Sequence, residues 1–598
     1  MSLPTLLILA IVIAVSALLI TDKVRADLLA LLTLVALGVT GLVRPEDLFS
    51  GFSRSAVITI LALFIITGGL ERTGATRILG AQLGRLAGTK EPRAVAAVMV
   101  ITALLSLIMN NIAAAAVMLP GVIGLTRRTE LRPSRLLMPL AFASLLGGMA
   151  TLFATSNILV SAALADQGFR PYGVLDFLPV GLPMAAAGIL YMALAGRRLL
   201  PEHGLGGEKG PRRPSVSLSE TYGLAEAVSG AYVKPGSVMA GRTLAEGGWG
   251  RQLGLSVVGL SRGGGLVLAP SYDHKVIEGD VVIFTGSASD DDLGRYGLIR
   301  TDDPAWQGKF TSTQVSLVEV TLAPRSPFAG KTLRELNFRQ KYDLNVLALW
   351  RAGQTIREGI AGLPLQFGDA LLVQGFRERI RLLRDEPGFL ILEEDVEEPA
   401  PGGKAWLAAG LTAAAVALSA VGVLPIALAT FTCALLMVLF GCLSMDEAYG
   451  AIEWRAVFLI AGMLPLGLAM TRTGTADLVG SLLVRLLGGW GPLALAGGLF
   501  LAAMLLTQVM GGQATAVVIA PIAIAAAASL GADPRAVGLA VAMGCSTAFL
   551  TPFGHPSNVL VMGPGGYTLR DYTRVGLPLT LLLFAVLLGS LAVWMNVR

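Results

Sequence analysis

Apolar runs long enough to span a bilayer fill both flanks of the chain, and polar residues collect in its middle. A bilayer core of about 30 Å takes roughly 20 apolar residues in a helix. Such runs lie near 3–20, 26–43, 55–71, 134–165 and 174–196, and a further stretch, 94–126, is broken by Asn110-Asn111. The same plan returns at 405–422, 424–441, 455–470, 491–527, 535–565 and 574–596. Between the two blocks, glycine-bounded runs (LSVVGLSR, DVVIFTG, LNVLALWR, ALLVQG) predict β-strands, with helical turns at GRTLAEG and GKTLREL. A hydrophilic, Gly/Pro-containing segment, 199–215, leads into this middle region, and an acidic one, 393–403, leads out. At 76–88, Ile78, Leu79, Leu83 and Leu86 oppose Arg77 and Arg85, which predicts a helix lying along the membrane surface; 477–487 echoes it.

The flanking blocks are copies of one another. Gly41 and Gly441 stand 400 residues apart, as do Arg72-Thr73-Gly74 and Arg472-Thr473-Gly474. Asn110-Asn111 through Pro120 aligns with Gly511-Gly512 through Pro521 at 401, and Ser156–Val160 aligns with Ser557–Val561 at 401. Val180–Pro183 matches Val575–Pro578 at 395. Matches in order at nearly constant offset indicate an internal duplication. The middle is doubled as well: Gly241 and Gly330, Arg262 and Arg351, Gly279-Asp280 and Gly368-Asp369, and Gly286 and Gly375 are all 89 apart. Four segments follow: a first transmembrane repeat (1–203), two soluble units (204–305 and 306–400) and a second transmembrane repeat (401–598).

Composition narrows the class. Hydrophobic residues make up 54% and charged residues 15%, against about 25% charged in soluble chains, so the chain is an integral membrane protein. Three cysteines in apolar runs exclude a disulfide framework, and a net charge of +5 gives no reason to expect nucleic acid. With five crossings and one re-entrant hairpin per repeat, the inner loops of the first repeat hold Lys23, Arg25, Arg72, Arg77, Arg85, Lys90, Arg93, Arg127, Arg128, Arg132, Arg135, Arg197 and Arg198. The outer loops hold only Arg44, Arg54 and Arg170. That asymmetry predicts a multi-pass protein of the cell (inner) membrane with a cytoplasmic middle. An odd number of crossings makes the second repeat an inverted copy of the first. Three histidines, no metal-ligand cluster and no nucleophile elbow predict that the protein is not an enzyme.

Inverted repeats place substrate near the midplane, between interrupted helices. The interruptions are Asn110-Asn111, Gly511-Gly512-Gln513, Thr155-Ser156-Asn157 and Gly554-His555-Pro556-Ser557-Asn558. No Asp, Glu, Lys or Arg sits at the centre of a span. Neutral hydroxyl, amide and backbone oxygens suit sodium, and half-helix N-termini suit an anion. Co-bound sodium would supply the charge that the protein lacks, so sodium-coupled anion symport is the expected activity. A ligand-gated channel and a sodium/proton antiporter are the alternatives. They are opposed by the lack of a selectivity-filter motif and of intramembrane carboxylates respectively. His555 is either a structural imidazole or an anion contact; in the second case transport would be pH-sensitive.

The segments MNNIAAAAVMLP, ATSNILV, MGGQATAVVIAP and TPFGHPSNVLVMGPGGYTLRDYTRVGLP resemble the divalent-anion/sodium symporters, which carry sulfate or dicarboxylates. The resemblance implies a homodimer that works by elevator-type alternating access, with sodium as coupling ion and no organic cofactor. Its Ser-Asn-Thr tips fall on Asn110-Asn111-Ile112 and Gly511-Gly512-Gln513, with hydroxyls four positions earlier at Ser106 and Thr507. Carried over by position, Ser106, Asn110, Asn111, Ala154, Thr507, Gly511 and Gly554 would line sodium. Asn110, Asn111, Thr155, Ser156, Asn157, Gly512, Gln513, His555, Pro556, Ser557 and Asn558 would line the anion, sulfate ahead of a dicarboxylate. The middle units resemble the C-terminal regulatory (RCK-C-like) domains of Trk-type potassium uptake systems through Gly-x-Thr-Leu, Arg-x-Gly and Gly-Asp-x-hydrophobic. That resemblance implies either a small-molecule regulator or a cytoplasmic subunit-pairing cap.

Overall fold

Inside a bilayer a helix satisfies all of its own backbone polar groups, and the apolar runs accordingly become helices. The computed structural model describes residues 2–21, 24–76, 88, 90–129, 131–201, 222, 228–263, 265–286, 288–301, 310–312, 314–322, 326–351, 354–384, 386, 388–392 and 403–597. The surface helix expected at 76–88, apart from its two end residues, and most of 199–215 and 393–403 lie outside the described residues.

The first block contains α1 (Leu3–Thr21), α2 (Ala26–Val39), α3 (Ser55–Arg72), α4 (Glu91–Ser106), α5 (Asn111–Arg128), α6 (Pro133–Gly148), α7 (Thr155–Asp166) and α8 (Leu178–Leu194). The last block contains α9 (Ala405–Ala420), α10 (Ile426–Leu439), α11 (Trp454–Arg472), the amphipathic α12 (Thr475–Leu487), α13 (Pro492–Met510), α14 (Gly512–Leu530), α15 (Pro534–Ser546), α16 (Pro556–Gly565) and α17 (Leu569–Val597). Among the described residues, α1, α3, α11, α13, α14 and α17 are each long and apolar enough to cross a membrane. Proline stands in the first turn of α4, α6, α13, α15 and α16, where its missing N–H has no helical partner to lose.

One expectation shifts. The runs 134–165 and 535–565 are not single spans; each is a pair of α-helices joined by a break, 149–154 and 547–555, the second holding one 3₁₀ turn at Pro552–Gly554. Thr155–Asn157 and Pro556–Asn558, read from sequence as the interruptions themselves, form the first turns of α7 and α16.

The blocks pack by exchange. α2 lies along α11 and α10 along α3; α6 meets α16 and α15 meets α7. Polar contacts repeat the exchange: Arg72 pairs with Glu447 at 2.7 Å and Arg472 with Asp47 at 2.6 Å. Exposed pairs of this kind add little energy, so they mark the register between blocks more than they stabilise it.

Two tyrosines go deeper. The Tyr567 hydroxyl donates to Ser134 O at 2.8 Å and accepts from Met138 N at 2.8 Å, bridging two backbone groups four residues apart in the first turns of α6. The Tyr172 hydroxyl donates to the Arg535 carbonyl at the start of α15. Tyr567→Phe leaves a buried carbonyl and N–H without their bridge, which costs about 1–3 kcal/mol. A detergent melt should fall by several degrees, and by more than for Tyr172→Phe, which strands one carbonyl.

In the middle, β1 (Val228–Val233), β2 (Ser256–Arg262), β3 (Gly265–Leu268), β4 (Val281–Thr285) and β5 (Leu298–Thr301) form an antiparallel sheet in the order β3-β2-β4-β1-β5. A second sheet, from β6 (Val315–Leu322), β7 (Asn345–Arg351), β8 (Gln354–Ile356), β9 (Ala370–Phe376) and β10 (Phe389–Ile391), has the order β10-β6-β9-β7-β8, the same topology read from the other edge. Register shifts at Val257/Gly259 and Val346/Ala348 recur at the 89-residue spacing. Arg262 clamps Asp280 through two bonds of 2.8 Å, and Arg351 clamps Asp369 at 2.8 and 2.6 Å. Val258 and Ile283 of the first sheet share a buried apolar layer with Leu317, Leu347, Trp350 and Leu372 of the second.

Candidate functional site

In each flanking block two consecutive helices meet at a tip, and a broken helix packs beside it. In the first block the tip follows Ser106 at the end of α4. Asn110 caps α5, its side chain accepting from Ile112 N at 3.0 Å. Ser106 Oγ lies 2.8 Å from Asn111 Oδ1 and 2.6 Å from Ser144 O. One hydroxyl proton serves only one of these acceptors at a time, so three oxygens converge with a single proton among them.

In the second block the tip turns on Gly511, at φ +76. Gly512 opens α14 with its backbone pressed on α15: a Cβ there would overlap the Cys545 carbonyl oxygen. This is a physical reason why the position opposite Asn111 carries no side chain. The Thr507 hydroxyl is fully buried beside the Cys545 thiol and has no other partner among the described residues.

The broken helices explain the two asparagines. Asn157 Nδ2 donates to Gly148 O at 3.2 Å and to Thr151 O at 2.7 Å, and Asn558 Nδ2 donates to Ala548 O at 2.6 Å and to Thr551 O at 3.3 Å. Each amide thus satisfies carbonyls that its break sets free. Among the described residues, the Oδ1 atoms of both, fully buried, have no hydrogen-bond partner, and neither does Ser557 Oγ. Such orphan acceptors are rare in a low-dielectric interior.

A loop threonine ties each break to its tip: Thr151 donates to Leu107 O at 3.0 Å and Thr551 to Gln508 O at 3.1 Å. The Ser156 hydroxyl lies 3.2 Å from that of Ser546, joining the first break to the end of α15 and hence to the Cys545–Gly512 contact. The remaining expected residues lie nearby. Ala154 caps α7 through its backbone, and Thr155 and Asn110 line a shallow cleft facing Ile60, Phe64 and Thr67 of α3. Gln513 is half-buried at the start of α14, and Pro556 is exposed at the head of α16. Gly554 N donates to Thr551 Oγ1 at 3.1 Å. His555 caps α16, its Nδ1 accepting from Ser557 N at 3.2 Å, which leaves Nε2 as the only ring nitrogen open to another partner.

Sequence reasoning missed Gln508. Its amide donates to Thr547 O at 2.8 Å and Met504 O at 3.0 Å and accepts from Leu550 N and Thr551 N at 3.1 and 3.3 Å, stitching the second break to the hairpin. The available signal was a polar residue beside Thr507 whose repeat counterpart, Leu107, is apolar. Thr151, Thr551, Ser144 and Ser546 were missed as well.

Four helices, α5, α7, α14 and α16, therefore begin at these breaks. Residues 106–111, 151–157, 507–513 and 546–558 contain no Asp, Glu, Lys or Arg. Helix N-termini favour negative charge and bare amide oxygens favour cations, so the assembly can take both without a charged side chain.

The profile of the citrate transporter family matches residues 16–544. Over 583 residues, 34% of positions are identical to an uncharacterized transporter of Escherichia coli, YfbS, covering 95% of each chain. Sodium/sulfate cotransporter 1 of Chlamydomonas reinhardtii is 24% identical over 754 aligned positions, spanning 92% of this chain and 84% of the relative. The sodium-dependent dicarboxylate transporter SdcS of Staphylococcus saprophyticus is 27% identical over 136 residues, covering 23% of this chain and 26% of the relative.

Proposed function

This chain belongs to the citrate transporter family, and from that premise we propose that it is a secondary active transporter coupling sodium to a small divalent anion, sulfate ahead of a dicarboxylate. The observation that carries this reading is the pair of fully buried, unpartnered oxygens, Asn157 Oδ1 and Asn558 Oδ1, at the heads of two helices in a region without charged side chains. The relatives named as sodium/sulfate cotransporters and as a sodium-dependent dicarboxylate transporter support the coupling ion and the substrate class.

In this reading Ser106 Oγ, Asn111 Oδ1 and Ser144 O hold one sodium ion, and Thr507 Oγ1 with the backbone around Gly511 and Gly554 holds another. The anion sits against the first turns of α5, α7, α14 and α16. At about 4 Å and an effective dielectric near 20, one sodium beside one anionic charge contributes about 4 kcal/mol, roughly a thousandfold in affinity. Without sodium the uncharged site has little hold on the anion, and this dependence is the coupling.

Elevator motion of an inverted repeat in a homodimer completes the proposal, with the protein a multi-pass component of the cell membrane. The exchanged packing of α2 on α11 and α10 on α3, and of α6 on α16 and α15 on α7, supports an inverted repeat. The Tyr567 and Tyr172 contacts, each reaching the start of the other block's helix, agree with it. The strand order shared by the two sheets supports a duplicated middle; its units, 204–305 and 306–400, are proposed as RCK-C-like and cytoplasmic, serving either small-molecule regulation or subunit pairing.

Labelled sulfate should accumulate in proteoliposomes only under an inward sodium gradient, and unlabelled succinate or citrate should compete more weakly than sulfate. Accumulation indifferent to sodium would end the symport reading.

A further inference from the structure

We infer that the turn Gln366–Asp369, which leads into β9, is a positioning strut for α16, so that a soluble unit sets the geometry of the helix bearing Ser557 and Asn558. The inference rests on the proposed role of those two residues. Gly368 is at φ +94, and a Cβ there would stand 2.9 Å from Val559 O and 3.1 Å from Val559 Cγ1. One turn further along α16, a Cβ on Gly563 would overlap the Gly368 carbonyl oxygen and stand 3.6 Å from Ala370 N at the start of β9. Turn and helix therefore meet backbone to backbone at two glycines. Val559 follows Asn558 directly, so the strut bears on the residue next to the orphan oxygen. From another helix, the Tyr572 hydroxyl of α17 donates to Asn558 O at 2.6 Å.

The turn is built to bear load. Asp369 accepts two bonds from Arg351 and one from Gln366 N at 2.7 Å, which closes the turn on itself. Phe367 packs at once against the membrane core and the core of the second sheet. The duplication supplies the contrast. The matching turn of the first unit has the same clamp, Asp280 held by Arg262 and bonded to Ile277 N at 2.8 Å. Gly279 has the same left-handed backbone, φ +86, yet among the described residues nothing lies within 4 Å of where its Cβ would be. Where the docked turn carries Phe367, the free turn carries an exposed Glu278. The turn thus belongs to the unit's fold, and only one copy is docked on α16. Gly563 lies within a helix, where no unusual φ calls for glycine; the close approach calls for it.

The test uses the full-length protein in nanodiscs. Phe367→Glu copies the free turn, Gly368→Ala intrudes on α16, and Gly279→Ala imposes the same backbone strain on the undocked turn. Hydrogen exchange of the amides from Ser557 to Gly565 should quicken at least tenfold in Phe367→Glu and Gly368→Ala and stay at the wild-type rate in Gly279→Ala. In proteoliposomes the KM for sulfate should rise several-fold in the first two variants and not in the third. Unchanged α16 exchange in Phe367→Glu, or equal changes in Gly368→Ala and Gly279→Ala, would overturn the strut. A wild-type protein that takes up no sulfate but gives the expected exchange pattern would overturn the functional reading and leave the strut standing.

Discussion

Asn157→Ala should reduce sodium-driven uptake at least a hundredfold, and Asn558→Ala should do the same. Each side chain has two tasks, and the substitution removes both. The amide nitrogen holds two loop carbonyls, and leaving buried carbonyls bare costs about 1–3 kcal/mol each. The free oxygen offers itself to an ion or substrate, and its removal acts on uptake beyond any loss of stability. The two effects separate experimentally. Asn111→Ala deletes an oxygen beside Ser106 without freeing a loop carbonyl, so it should raise the sodium concentration for half-maximal uptake about tenfold while the melting temperature moves little. Uptake above a tenth of wild type in Asn157→Ala, with folded protein in the vesicles, would remove that residue from the site.

Gly512→Ala is the second large effect. Alanine is normally the better helix former by about 1 kcal/mol, so on propensity alone this change should stabilise α14. It should instead destabilise the protein, because the new methyl meets the Cys545 carbonyl, and a backbone carbonyl within α15 cannot swing aside. Overpacking of this kind costs about 1–3 kcal/mol. A tip displaced by even 1 Å is expected to lose about a hundredfold in rate. The measurement is paired: a melt and an uptake assay on the same preparation. A variant with wild-type melting and uptake would mean that the tip does not bear on α15.

Much of this was legible in the chain because it is written in local pattern. Apolar runs located the helices, glycine-bounded runs located β2, β4, β7 and β9, and the 400- and 401-residue offsets paired the two tips. What escaped depends on tertiary hydrogen bonds. The breaks fall at 149–154 and 547–555, ahead of Thr155-Ser156-Asn157 and overlapping only the first two residues of Gly554–Asn558, because the asparagine amides reach backwards to collect the freed carbonyls. Gln508 sits in an apolar run and gains its meaning only from the loop folded around it. Tyr172 and Tyr567 share the 395-residue offset of Val180 and Val575, yet nothing local says that each phenol reaches the other block.

The exchange of helices between blocks also sets an order of events during synthesis. α2 and α3 find their main partners, α11 and α10, only some 400 residues later in the chain. At a ribosomal pace of about 5–20 residues per second, that is a wait of roughly 20–80 s. Lipid can shelter the leucines of α2 meanwhile, but the side of α3 that packs on α10 has no protein partner until the second block is made. The first block therefore enters the membrane as an unfinished half. Its assembly waits on the two sheets being made and on the second block arriving, and during that interval the unfinished half is open to misassembly.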